Sequence, residues 1–286
     1  MLESMVRGVF RREQIPAPVL WVMAADGMAT WYRWLARGLT EPLGGREAAR
    51  RVLAEATAPA FERRYAALRA QHATLPDDPR AVALTINALH RAPGWRRAAF
   101  VLDGVGGGPK TLAERARGWR LIAPLSYRQR WEEVTVHLGE VLIALTERLP
   151  KLGLARTNAV LGQICYDAGV LAGEQAKRRF GLPDTPDSAI EVLRMSEYLF
   201  RVNPEHTATS DAAARTGSIE GNACPWYARP GWGGQHCGIF GQFQRGVSAV
   251  FGLRYQLVET IPRHGGSTCK IDLTPIDEPR RRAKAN

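Results

Sequence analysis

The apolar residues of this chain change period near residue 200, and that switch confines it to a fold with helices first and a sheet second. Upstream, apolar side chains recur at helical spacing. The breakers Pro16 and Pro18 precede a helix expected over 20–39, with Trp21, Trp31 and Trp34. Residues 46–71, 131–149 and 156–180 continue the pattern, and Gly181, Leu182 and Pro183 end the last of these. A shorter helix is expected over 187–199, starting near Pro186. Downstream, 200–204 and 215–222 read as strand pieces with polar and glycine-rich connections, and 230–234 as a loop. Residues 236–251 return to helical spacing through Ile239, Phe240, Phe243, Val247 and Val250. Residues 254–261 and 268–273 alternate like paired strands around a His264-Gly265-Gly266-Ser267 turn. The expected class is α+β: helices, then a small antiparallel sheet with one helix packed on it.

The N-terminal part is harder to assign. Residues 1–12 place Leu2, Met5, Val6, Val9 and Phe10 on one helical stripe, with Arg7, Arg11 and Arg12 off it. That suits a helix docked on its own domain or a sister subunit better than a membrane-surface helix, for which it is short. Asp77, Asp78 and Pro79 mark another helix start, and residues 98–102 read as a short buried strand or a helix end. Residues 103–108, followed by Pro109, Lys110 and Thr111, have the look of a phosphate-binding loop. Pro109 spoils it, because that position needs a glycine whose N–H can face phosphate. The stretch reads as a linker. The expected organisation is a helical region over 1–112, an α+β domain over 113–276, and a basic tail over 277–286.

Composition narrows the partners. A net charge of +11 favours anionic ones. The excess is mostly arginine scattered through helical text with no base-reading motif, so specific nucleic-acid binding is not expected. Residues 1–12 lack a secretory pattern, and no stretch reaches the roughly 20 apolar residues that span a bilayer. A cytoplasmic protein is expected, and its four cysteines are read as thiols or metal ligands rather than a disulfide framework.

Three of those cysteines, Cys224, Cys237 and Cys269, gather in the sheet-forming third, while Cys165 stands mid-helix as a small core residue. Two chemistries can use the cluster. Zinc takes thiolate, imidazole and carboxylate ligands, here drawn from Cys224, Cys237, Cys269, Glu259, His236 and His264, although no Cys-x-x-Cys pair is present. A cysteine at a helix N-terminus beside a histidine has its thiolate stabilised, which suits Cys237 next to His236 as a nucleophile. Cysteines that simply pack are the third reading.

The segment from residue 156 to Leu273 resembles the L-2-amino-thiazoline-4-carboxylic acid hydrolase family. Cys224-Pro225 after a polar strand, Cys237, Glu259 on a strand, and the run Gly265-Gly266-Ser267-Thr268-Cys269-Lys270-Ile271-Asp272 carry the resemblance. The family pattern Gly-Asp-x-x-Cys-x-Phe has Gly266 in place of its Asp and Ile271 in place of its aromatic here. The same region is similar to vinyl-4-reductase-type sensor domains, whose small zinc site matches Cys237, Glu259 and Cys269. Pro262 stands where that pattern has a further cysteine, so a closed four-ligand site is not implied.

The resemblance implies a hydrolase that opens a non-peptide C–N bond in a small, carboxylate-bearing cyclic amidine or imide. The nucleophile would be Cys237 or Cys224, or a metal-activated water. His264 or His236 would serve as general acid and base, Glu259 would orient a histidine or bind zinc, and Arg245 or Arg254 would bind the carboxylate. His206 and Asp211 are secondary candidates. The rivals are a non-catalytic small-molecule sensor with a structural zinc, and a ring-forming or amide-forming enzyme on the same scaffold. The N-terminal helices are expected to supply a lid or a homo-oligomer surface.

Overall fold

The computed structural model describes Gly8 and residues 15–71, 126–200, 206–221, 224–227, 229–260 and 268–276. Six helices and four strands are labelled here among the described residues: α1 (Ala17–Gly38), α2 (Arg46–Gln71), α3 (Tyr127–Lys151), α4 (Thr157–Phe180), α5 (Pro186–Leu199), β1 (His206–Asp211), β2 (Thr216–Gly221), α6 (Gly234–Val250), β3 (Leu253–Glu259) and β4 (Cys269–Pro275). The α+β class is as expected. The expectations for residues 1–12, 79, 98–102, 103–111, 201–204, 264–267 and 277–286 concern positions outside the described residues, Gly8 apart.

Local chemistry sets the helix ends. Ser126 caps α3 in a reciprocal box with Gln129, satisfying two N–H groups that the first turn leaves open. Thr185 caps α5, with Pro186 pre-set for the first helical position. Gly181 closes α4 at φ 60°, a left-handed conformation that glycine adopts without strain.

The sheet is antiparallel throughout, in the order β1-β2-β4-β3. Its buried face carries Ala208, Ile219, Ile271 and Leu257 along one rung, and Leu273 and Tyr255 along another. α5 and α6 cover that face. β1 was not expected as a strand. Its Thr, Ser and Asp side chains are mostly exposed on the sheet edge, so no apolar alternation betrays it. Asp211 ends β1 by accepting the N–H groups of Ala213 and Ala214, which caps the hairpin turn.

Behind α6 lie α4, α1 and α3, and one apolar core runs from Met28, Trp31 and Leu35 of α1 through Leu138, Leu142 and Leu145 of α3 to Phe243 and Leu273. The Trp31 ring sits 5.3 Å from that of Phe243. α1 and α2 therefore share the core of the later elements rather than a core of their own. Cys165 is fully buried in it, and burial pushes its thiol up to about 12.

α4 and α6 cross with their backbones in contact. A Cβ built on Gly169 would lie 2.0 Å from the Phe243 carbonyl oxygen, and one on Gly246 would lie 2.2 Å from that of Tyr166. Both obstacles are main chain and cannot swing away. Gly169→Ala is expected to cost at least about 2 kcal/mol in chemical unfolding, through forced separation of the helices. Gly238→Ala, at a helical site with nothing within 4 Å of the added carbon, is expected to be neutral or stabilising by up to about 1 kcal/mol. Equal effects would contradict the crossing.

Candidate functional site

Cys224 begins a short segment that is nailed down by Trp226. The Trp226 ring lies on Gly139 of α3, where a Cβ would meet it at 2.4 Å, and its indole N–H donates to the Thr135 carbonyl at 2.8 Å. Trp232 packs on Trp226 at 4.9 Å between ring centroids. This aromatic anchor holds the entry to α6, and with it Cys237 in the first turn.

His236 completes that anchor and is not placed for acid–base work. Its Nδ1 accepts the Gly233 N–H at 3.0 Å, doing the job of the Glu or Gln in a capping box. Its Nε2 meets the Thr146 hydroxyl at 2.8 Å, and its ring stacks on Trp232. Both nitrogens are engaged in a residue that is 1% exposed. Burial lowers its pKa, so no imidazolium stands beside Cys237 as the sequence suggested. His264, the other expected acid–base residue, lies outside the described residues.

Cys224, Cys237 and Cys269 do come together: each of the other two thiols acts on Cys224, and Cys269 acts on Cys237. The effect on reactivity is opposite to the expectation. Burial dominates over the helix N-terminus at Cys237 and raises its pKa, with only partial relief from the Trp232 indole N–H. Burial likewise pushes Cys224 up to about 12, against hydrogen bonds from the Trp226 and Tyr227 backbone. These are neutral thiols at ordinary pH.

The zinc set expected from Cys237, Glu259 and Cys269 is not assembled. Among the described residues no group of three or more His, Cys, Asp or Glu side chains is arranged to hold a metal ion. The cause is a bulge between Leu257 and Glu259, which sets Glu259 opposite Lys270. Lys270 and Cys269 are neighbours on one strand and point to opposite faces, so Glu259 faces away from the thiols. It accepts a hydrogen bond from Thr268 at 3.1 Å instead. Of the secondary candidates, Asp211 is spent on its turn. His206 shares the inner rung of Gly221 and Cys269, where Arg194 donates to its Nε2.

Three of the expected residues share an open cleft. Between α6 and the edge strand β3, a space of about 600 Å³ is lined by Cys237, Gly241, Arg245, Arg254, Tyr255 and Leu257 among others. Both arginines are exposed at its margin, and Arg245 Nη1 donates to Gln242 at 3.2 Å.

The sequence reading missed the polar group behind this cleft. Glu197 of α5 is 2% exposed and receives a hydrogen bond from Gln244 Nε2 at 2.7 Å. Gln244 Oε1 in turn accepts from the Tyr255 hydroxyl. The second Glu197 oxygen, Oε2, is buried without a hydrogen bond. Burial raises the Glu197 carboxyl to about 8, with Arg194 and Gln244 opposing, and pushes Tyr255 well above its ordinary value. A signal did exist: Glu197 continues the Ile190–Leu193 stripe of α5, and Gln244 lies between Phe243 and Val247, so each is a polar residue at a core position.

The Glu197 shift has a sign that stability can test. The unfolded chain releases this proton near 4.5 and the folded chain near 8. Between those values the folded state holds more protons, so stability from this group falls as pH rises through the window and is flat above it. Glu197→Gln is neutral throughout. Urea unfolding should therefore show the unmodified chain losing stability relative to the variant between about pH 5 and about pH 9, and parallel profiles would contradict a protonated Glu197.

No family model, curated protein or solved structure matches the chain.

Proposed function

We propose that the chain is a hydrolase acting on a non-peptide C–N bond of a small, carboxylate-bearing cyclic amidine or imide, with Cys237 as nucleophile. The observation that carries this reading is the cleft itself: the Cys237 thiol and two exposed guanidinium groups line one space of about 600 Å³. That volume suits a small metabolite. Arg245 and Arg254 supply positive charge where a substrate carboxylate would bind.

The neutral thiol shapes the chemistry. Sulfur bonds the electrophilic carbon of the C=N group, and the thiol proton passes to the ring nitrogen. The ring C–N bond then breaks, leaving the acyl-like carbon on sulfur. Water displaces the sulfur and returns a proton to it, so the net change is addition of water. A thiol that carries its own proton suits a basic amidine, which needs that proton to leave.

The raised thiols also favour a second reading, a non-catalytic small-molecule-binding protein using the same cleft. Turnover separates the two. Five-membered cyclic amidine and imide carboxylates, incubated with the protein, should yield ring-opened products one water heavier by mass spectrometry. Cys237→Ser should lower kcat by about a hundredfold or more. Arg254→Ala should raise KM by roughly tenfold. Ring opening that survives Cys237→Ser would overturn the nucleophile, and saturable binding without turnover would favour the binding protein.

A further inference from the structure

The hydrogen-bond chain behind the cleft has a direction. A glutamine has one acceptor oxygen and one donor nitrogen. Gln244 gives its nitrogen to Glu197 Oε1 and its oxygen to the Tyr255 hydroxyl proton. Tyr255 thus spends its only proton inward, and what it retains is a pair of acceptor sites on Oη. That oxygen lies next to Gly241, where an added Cβ would meet it at 3.7 Å, and Tyr255 and Gly241 line the cleft together with Cys237. All three members of the chain are buried, with Tyr255 3% exposed and Gln244 7% exposed, so the amide is held by its partners rather than by water. The arginines on the same cleft are donors only. The Tyr255 oxygen is the complementary acceptor.

We infer that Tyr255 is a specificity-determining residue of the Cys237 cleft, accepting a hydrogen bond from an N–H group of the bound molecule, and that Gln244 is the positioning residue that takes its hydroxyl proton inward. The ligand class is a small molecule with an anionic group for the arginines and an N–H donor near the carbon that Cys237 reaches. This rests on the cleft being the substrate site and adds the group that reads the nitrogen end.

The test needs no knowledge of the substrate. Iodoacetamide and N,N-dimethyl-iodoacetamide react by the same displacement at sulfur, but only the first carries N–H groups. Their rates at Cys237 are followed by peptide mass spectrometry and normalised to the same pair reacting with glutathione. The unmodified chain should prefer iodoacetamide by roughly threefold to tenfold, the worth of one hydrogen bond. Tyr255→Phe should abolish the preference. Gln244→Leu, which frees the hydroxyl proton to turn outward, should also abolish it and serves as the second variant if the first does not fold. Glu197→Gln keeps an acceptor oxygen for Gln244 and should retain the preference, which a merely destabilised cleft would not. A preference that persists in folded Tyr255→Phe, or in folded Gln244→Leu, overturns the inference and leaves the cleft reading standing. A Cys237 that neither reagent reaches in the native protein overturns both.

Discussion

Gly169 and Gly246 let α4 and α6 meet backbone to backbone, and the placement of every candidate group on α6 follows from that contact. With no side chain between them, the two helices have one relative position, set by Phe243 and Tyr166 carbonyl oxygens rather than by adaptable rotamers. α6 is then fixed in rotation. Phe240, Phe243 and Val247 turn into the core, Gln244 turns toward α5, and Arg245 is left at the cleft. The Trp226–Trp232–His236 stack fixes its first turn in the same way, against α3.

That rigidity permits a costly interior. A carboxyl without a full set of partners, a phenol and an amide lie together behind the cleft, close to the thiols. Burying a charge there would be prohibitive, so the protons stay on. Neutral groups held in a low-dielectric pocket retain directional hydrogen bonding without drawing in counter-charges. The positive charge of the site is kept at the exposed margin by Arg245 and Arg254.

How much of this was legible in the sequence differs by element. The bounds of α2 and α5 could be read from the spacing of apolar residues and from Pro186, and those of α6 from Ile239 to Val250; α5 and α6 each bury a run of residues along one stripe. β1 could not be read, since an edge strand of Thr, Ser and Asp buries too little to pattern. In the site, Cys224, Cys237 and Cys269 are close enough to act on one another, which their clustering in sequence allows but does not require. The roles of His236 and Glu259 were misjudged for different reasons. Adjacency to Cys237 in sequence says nothing of which way the imidazole turns, and a bulge of one residue reversed the face of Glu259. Glu197 stands at a core position of the α5 stripe, but its partner Gln244 lies 47 residues away on α6, and that pairing is not written in local text.

Carboxylate binding by Arg245 and Arg254 at the Cys237 cleft is the proposal most open to direct test. The direct measurement is protection: alkylation of Cys237 by iodoacetamide, followed at that residue, in the presence of a cyclic amidine carboxylate or of its methyl ester. The free carboxylate should slow labelling saturably, while the ester at equal concentration should not. Equal protection by both, or labelling of an accessible Cys237 that neither slows, would contradict it.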